Sequence, residues 1–351
     1  MAPAQSRRAA KPTPLLAPLM LNIRTVQHLA QRLNLPLELL QNVDEYLPLH
    51  YGESRQIAKR AAGQTRTIDA PRPLLKRIQR RINQVLLSDL WLPDSLHAYR
   101  RARSTKTAAA PHAGRRFLWV ADIRRFYPSI SSDGVYCMFG DLGCSPDVSH
   151  LLTRLTTRKH CLPQGTPTSP ALANLYLRLT GTAARLEGLC WKHRLSMTFF
   201  GDDLLISGDT PFNGLTKHFE HILESAGLRL NRRKTGPVAG PEDKHQALGL
   251  VMNSAAGQIN VPRFYRRRLR AILRLCQRRG PGALTHFGIT HKDPRAYLAG
   301  MIAFAAYINP ENAVLKSEMA RIDWAGHSRQ QPVAGVARLP TALPAEQRVA
   351  V

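Results

Sequence analysis

Acidic side chains are scarce in this 351-residue chain, where 24 Asp and Glu stand against 50 Lys and Arg for a formal charge of +26. None precedes Glu38. Such an excess is more than solubility needs and usually answers a polyanion, nucleic acid first and a membrane surface second. Cysteine is also sparse: Cys137, Cys144, Cys161, Cys190 and Cys276 are odd in number and show no C-x-x-C spacing. That argues against a disulfide scaffold and a zinc site and fits a reducing, cytoplasmic setting. No run of about 18 apolar residues exists to span a bilayer. The stretch "PLLAPLML" is short, broken by Pro18 and followed by no small-residue cleavage site, so it is not a secretory signal. The acid-free start fits an organellar transit segment and equally a basic arm for RNA or DNA. A membrane-surface protein would need terminal amphipathic helices with bulky apolar faces, which the Pro-rich ends do not supply.

What is present is a chain 44% hydrophobic, long enough for two or three structural units, without internal repeats. Two short helical patterns, Val26-Leu29-Leu33 and Leu37-Leu40-Val43-Leu47, flank Pro36. Next, Ile68 lies in a short strand ended by Pro71, and Leu74, Ile78, Ile82, Val85 and Leu86 form an apolar helix stripe whose other face is basic. Phe117 to Ala121 read as a buried strand ending in Asp122. In "LPQGTPTSPALANLYLRL" a turn-rich loop leads into a helix, with Ser169 as N-cap and Pro170 at the first position. "SMTFFGDDLLIS" reads as a hairpin with Asp202 and Asp203 at its tip. One strand in "QALGLVMN" follows. Residues 261–280 form a helix with Tyr265, Leu269, Ile272 and Cys276 on one face and Gly280 as its stop.

Adjacent carboxylates between apolar runs repel each other unless a cation neutralises both. An Asp-Asp pair by itself is most often a solvated turn. Here "TFF" before and "LLIS" after are not turn-like, and Asp122 can reach the same place from a neighbouring strand. Three hard oxygen donors suit Mg²⁺, and two such ions about 3.5 to 4 Å apart clamp the attacking and leaving oxygens of a phosphoryl displacement. The chemistry this points to is nucleotidyl transfer.

The ordered segments "DIRRFYPSI", "LPQGTPTSPALAN", "FGDD", "LNRRKTG" and "LGLVMN" resemble the palm motifs of reverse transcriptases in order and spacing. "RTIDAPRPLLKRIQRRI", "HAYRRARSTKTAAAPHAGRR", "VPRFYRRRLRAILR" and "YLAGMIAFAAYINP" resemble the bacterial retron type. The likeness runs from about residue 22 to 310. It implies an α+β, right-hand polymerase: a flexible basic lead over 1–18, an N-terminal helical cap over 19–50, fingers over 51–116, an antiparallel-sheet palm with helices over 117–255 (150–170 partly fingers), a helical thumb over 256–325 and a flexible tail over 326–351.

Carried over position by position, the resemblance implies that Asp122, Asp202 and Asp203, with the Ile123 carbonyl, hold two Mg²⁺ ions. Tyr127 occupies the aromatic position that excludes a 2′-hydroxyl, although alone it reads as a core ring after a strand. Gln164 and Gly165 match the loop at the incoming nucleotide, and Lys234 the lysine near its triphosphate. Arg66 and Arg72 match the fingers' triphosphate contacts, and Leu248 and Gly249 the turn gripping the primer end. Arg263, Arg266, Arg267, Arg270 and Arg274, on a helix without acids, match a thumb that tracks an RNA-containing duplex by shape and backbone. His112 matches the retron Asn-Ala-x-x-His element. Departures from the pattern are Phe200-Gly201 where Tyr-Ala is common, Ala108 where Asn stands, and Ala247-Leu248 in place of Val-Thr.

The implied activity is DNA synthesis on a cognate structured RNA from deoxynucleotides. The product is single-stranded DNA, often primed from an internal 2′-hydroxyl, in systems associated with antiphage defence and effector proteins. Two other readings stay open: another bacterial reverse transcriptase, from a group II intron or a different defence locus, and a non-catalytic RNA-binding protein of the same fold.

Overall fold

The computed structural model describes residues 20–58, 65–252, 258–289, 291 and 293–324. The expected lead over 1–18 and tail over 326–351 lie outside the described residues. Contacts divide the chain into two units, 1–59 with 63–243 and 60–62 with 244–351.

In the first unit, α1 (Val26–Leu33) starts where the Thr25 hydroxyl accepts from the His28 N–H, and it stops at Asn34 in the left-handed conformation. Pro36 then opens α2 (Leu37–Glu45). β1 (Arg55–Ala58) and β2 (Thr65–Ile68) form an antiparallel ribbon. α3 (Pro73–Ile82) continues into a wider π-type turn over Asn83–Leu87. Its buried stripe is Leu75, Ile78, Ile82, Leu86 and Leu87, which corrects the expected one: Leu74 and Val85 are only half-buried. The π turn inserts an extra residue, and that shifts the phase at the helix end.

α4 (Thr105–Ala109) precedes β3 (Phe117–Asp122), and α5 (Phe126–Ser129), α6 (Ser132–Asp141), α7 (Pro146–Thr156), α8 (Ser169–Leu179) and α9 (Thr182–Lys192) follow. β4 (Ser196–Phe200) and β5 (Asp203–Gly208) complete an antiparallel sheet of order β3-β5-β4, with α10 (Thr216–Glu224) next in the chain. The central strand β5 is covered on both faces, with Leu204, Leu205 and Ile206 fully buried, which explains its continuous apolar run. α8 differs from expectation by one residue. Its N-cap is Thr168, and Ser169 is already helical, its hydroxyl donating to the Pro163 carbonyl at 2.7 Å.

The second unit opens with β6 (Gln246–Ala247) and β7 (Leu250–Val251). The single strand expected in "QALGLVMN" is therefore a tight hairpin. Leu248 and Gly249 turn the chain with positive φ of 54° and 74°. α11 (Arg263–Arg279) buries Tyr265, Leu269, Ile272, Leu273 and Cys276, and α12 (Pro294–Ile308) and α13 (Val314–Ala320) supply further apolar faces. The Tyr265 hydroxyl donates to the Met301 carbonyl at 3.2 Å. Gly280, at φ 73°, ends α11 as expected. Among the described residues no helix is long and apolar enough to cross a membrane.

Candidate active site

The register of the central sheet sets Asp122, the last residue of β3, directly opposite Asp203, the first residue of β5. Between β4 and β5, Gly201 takes φ 67° and Asp202 completes the turn. The Ile123 N–H donates to the Asp202 carbonyl at 2.8 Å, so backbone hydrogen bonding fixes the three acids at one end of the sheet. Past Asp122 the chain pairs with residues 229–231: Ile123 bridges Leu230, and the Asn231 N–H donates to the Asp122 carbonyl at 2.8 Å.

These acids are held at an electrostatic cost. Burial, then the charges of Asp202 and Asp122, push the Asp203 carboxyl from its ordinary 3.8 up to about 7, with Lys234 pulling the other way. The Asp122 carboxylate accepts from the Asn231 side-chain amide at 2.9 Å and from the Lys234 ammonium at 2.5 Å. Desolvation opposes charge on Lys234, but its hydrogen bond to Asp122 and the three carboxylates outweigh it and raise its pKa. Lys234 thus does in part what a bound cation would do. Three hard carboxylates under mutual repulsion form a donor set that fits a divalent ion. In this conformation no three Asp, Glu, His or Cys side chains among the described residues converge as a closed ligand group.

A cavity of about 900 Å³ lies in front of this end of the sheet. Its lining brings together Arg66, Asp122, Ile123, Tyr127, Gln164, Asp202 and Lys234 from the expected set. Eight lining residues are Lys or Arg and three are Asp, a balance that suits a polyphosphate. Tyr127 sits in α5, its ring centroid 5.6 Å from that of Phe126. Burial chiefly, then the hydrogen bond to Tyr99 and the Asp202 charge, raise its phenol. Gly165, at φ 100°, lies just behind Gln164, where an added Cβ would come within 2.7 Å of Ile68. The Gln164 carbonyl accepts from the Asp69 N–H at 2.8 Å, which ties this loop to the end of β2.

Asp203 and Arg72 do not line the cavity: Asp203 is half-buried behind it, and Arg72 precedes α3 with an exposed side chain. Leu248, Gly249 and the arginines of α11 belong to the second unit. On α11, Arg263, Arg267, Arg270 and Arg274 are exposed along one ridge, and Arg266 is half-buried. Sequence reasoning did not single out Asn231, although it lies three residues before Lys234. It also passed over the partly buried pair of Asp69 with Arg158, 2.7 Å apart, whose Arg lies outside every quoted motif.

His112, fully buried, bridges β5 and β4 behind the acids, 2.6 Å from Ser207 Oγ and 2.8 Å from Thr198 Oγ1. Because the Thr198 hydroxyl donates to the Ala108 carbonyl, the His112 Nε2–H donates to Thr198, and in the neutral ring Nδ1 accepts from the Ser207 hydroxyl. Burial, with smaller pushes from His97 and Arg115, drops His112 to about 3. The unfolded ring binds its proton near pH 6.5 and the folded ring only near 3, so stability is lost as pH falls through that window, by about 1.4 kcal/mol per unit. His97, lowered to about 4 chiefly by burial, adds a second proton over part of the range. Urea midpoints measured from pH 7 to 4 should therefore fall less steeply for His112→Gln than for the parent. Equal slopes would show that the ring is not held neutral.

An antiparallel sheet that gathers three acids at one end, two of them, Asp122 and Asp202, lining a basic cavity, is an arrangement suited to nucleotidyl transfer. The reverse transcriptase (RNA-dependent DNA polymerase) family matches residues 57–252, more than half of the chain. The chain is 31% identical to the retron Mx65 reverse transcriptase of Myxococcus xanthus, over 83% of this chain and 70% of that one. It is 30% identical to the retron Ec86 reverse transcriptase of Escherichia coli (54% and 58%) and 28% identical to the retron Mx162 reverse transcriptase of Myxococcus xanthus (71% and 56%). The chain thus spans somewhat over half the length of the latter two relatives. It belongs to the reverse transcriptase family, as a retron-type member. Reverse transcriptase domains generally use divalent metal ions.

Proposed function

We propose that the chain copies part of a cognate structured RNA into RNA-linked single-stranded DNA. The observation that carries this reading is the register that sets Asp122 opposite Asp203, with Asp202 next to Asp203 and lining a basic cavity. Asp122, Asp202 and Asp203, with the Ile123 carbonyl, would hold two Mg²⁺ ions. When bound, such ions acidify the attacking hydroxyl and neutralise charge on the leaving oxygens.

The chain's own residues do the rest. Arg66 and Arg72 hold the triphosphate from the fingers, and Gln164 and Gly165 present backbone to the nucleotide and template. Tyr127 walls off the sugar's 2′ side. Lys234, kept charged by the carboxylates beside it, donates a proton to the departing pyrophosphate. Leu248 and Gly249 hold the primer end, and the Arg263, Arg266, Arg267, Arg270 and Arg274 face follows duplex phosphates. In this reading the first unit supplies the helical cap, the fingers and the palm as far as residue 243, and the second the end of the palm, to 255, and the thumb. The biological setting is a cytoplasmic antiphage system with an effector protein encoded nearby.

The test is to express the gene with its native flanking DNA, purify the protein and sequence the nucleic acid that comes with it. A discrete single-stranded DNA joined to RNA is the expected result. RNA alone, with primer extension intact, would point to another kind of bacterial reverse transcriptase. RNA alone without extension would leave an RNA-binding protein of the same fold.

A further inference from the structure

The strand segment that carries Asp122 also creates a charge conflict on the far side of the same pairing. With Ile123 bridged to Leu230, the next step of the register sets Arg124 opposite Arg229, and the Arg124 N–H donates to the Arg229 carbonyl at 2.8 Å. Like charges directly opposite each other destabilise a strand pair. Both side chains are exposed, and neither guanidinium has an acidic partner within ion-pair distance among the described residues. Arg125 adds a third positive charge from a left-handed backbone position, φ 51°.

These three arginines line one depression of about 460 Å³ with Pro128, Ser129 and Gly227, and no acid is among its lining residues. An adjoining depression does contain acids, but its Glu220 is taken up by Arg232, which leaves Glu224 as the one acid there outside an ion pair. Arg124, Arg125 and Pro128 also line the catalytic cavity, so the two spaces share a wall.

We propose that Arg124, Arg125 and Arg229 form an accessory phosphate site at the side of the catalytic cavity. Guanidinium groups bind phosphate oxygens through paired N–H donors, and a bound phosphate anion converts the Arg124–Arg229 repulsion into a shared attraction. Two sources supply that chemistry: the pyrophosphate released by the reaction, and a backbone phosphate of the nucleic acid. The proposal rests on the polymerase reading for its biological meaning, whereas the anion site stands on the arginine geometry alone.

The experiment uses the full chain, Arg229→Gln, the double variant Arg124→Gln/Arg229→Gln, and Lys192→Gln as a charge-matched control on an exposed position elsewhere. Pyrophosphate binding is measured by calorimetry in chelator. Binding of a single-stranded RNA oligonucleotide is measured against salt, and primer extension on an RNA template against added pyrophosphate. If pyrophosphate is the ligand, its affinity falls roughly three- to tenfold in Arg229→Gln, with weaker product inhibition and an unchanged template KM. If a backbone phosphate is the ligand, the salt slope of RNA binding drops by about one, template KM rises, and pyrophosphate inhibition stays put. Unchanged pyrophosphate and RNA binding in both arginine variants, or the same loss in Lys192→Gln, overturns the site. A parent protein that binds pyrophosphate but never extends a primer would instead count against the polymerase reading.

Discussion

Asp203→Asn should lower primer extension by at least about a thousandfold while leaving RNA affinity within about twofold. The substitution keeps the size and hydrogen-bonding shape of the side chain at the first residue of β5, where the backbone stays paired with Asp122. What it removes is one of three carboxylates able to hold a cation. Stability should move the other way. Burial and the charges of Asp202 and Asp122 push Asp203 up to about 7, so in chelator the folded chain is strained by that carboxylate once it ionises. With a raised pKa, this penalty is absent below the ordinary 3.8 and grows as pH rises toward about 7. The Asn variant should therefore match or slightly exceed the parent in urea midpoint at pH 8 in chelator, as expected where a site holds strain for function. Extension reduced less than tenfold would sink the role assigned to Asp203. A large loss of stability would mean that lost activity reported unfolding instead.

The acids were legible in the sequence because each ends or begins an apolar run. Phe117 to Ala121 before Asp122 and Leu204 to Ile206 after Asp203 read as buried strands, and their pairing sets the two end residues opposite each other. The α11 pattern was legible for a similar reason: Tyr265, Leu269, Ile272 and Cys276 keep a strict helical spacing, and Gly280 stops it. Legibility failed where backbone geometry broke the period. The π turn after Ile82 displaced the stripe onto Leu87, and positive φ at Leu248, a residue type that rarely adopts it, folded an apparent strand into a hairpin.

Two pairs around the site were hidden because their members are distant in sequence. Arg158 meets Asp69 across 89 residues and His112 meets Ser207 across 95. No local periodicity encodes such pairs. Asn231 is a different case. It stands beside Lys234 in a quoted motif, but its amide acquires a role only when residues 229–231 pair with Asp122 to Arg124.

Tyr127→Val is expected to raise ribonucleotide use relative to deoxynucleotide, by kcat/KM, roughly 10- to 100-fold. The ring lines the cavity near Asp122 and Asp202 and is steadied on two sides, by Phe126 packed 5.6 Å away between centroids and by the Tyr99 phenol near its hydroxyl. A wall discriminates against an added hydroxyl only if it cannot step aside, and both contacts oppose that movement. Valine shortens the wall and loses both contacts. Tyr127→Phe keeps the ring and loses only the contact of its hydroxyl with Tyr99, so its selectivity should remain within about threefold of the parent. The pair of variants therefore separates bulk from anchoring. Equal relaxation in Phe and Val would shift the discrimination to the hydroxyl and its Tyr99 partner, and no relaxation in Val would remove Tyr127 from the sugar's path and return it to an ordinary half-buried aromatic beside the catalytic strand.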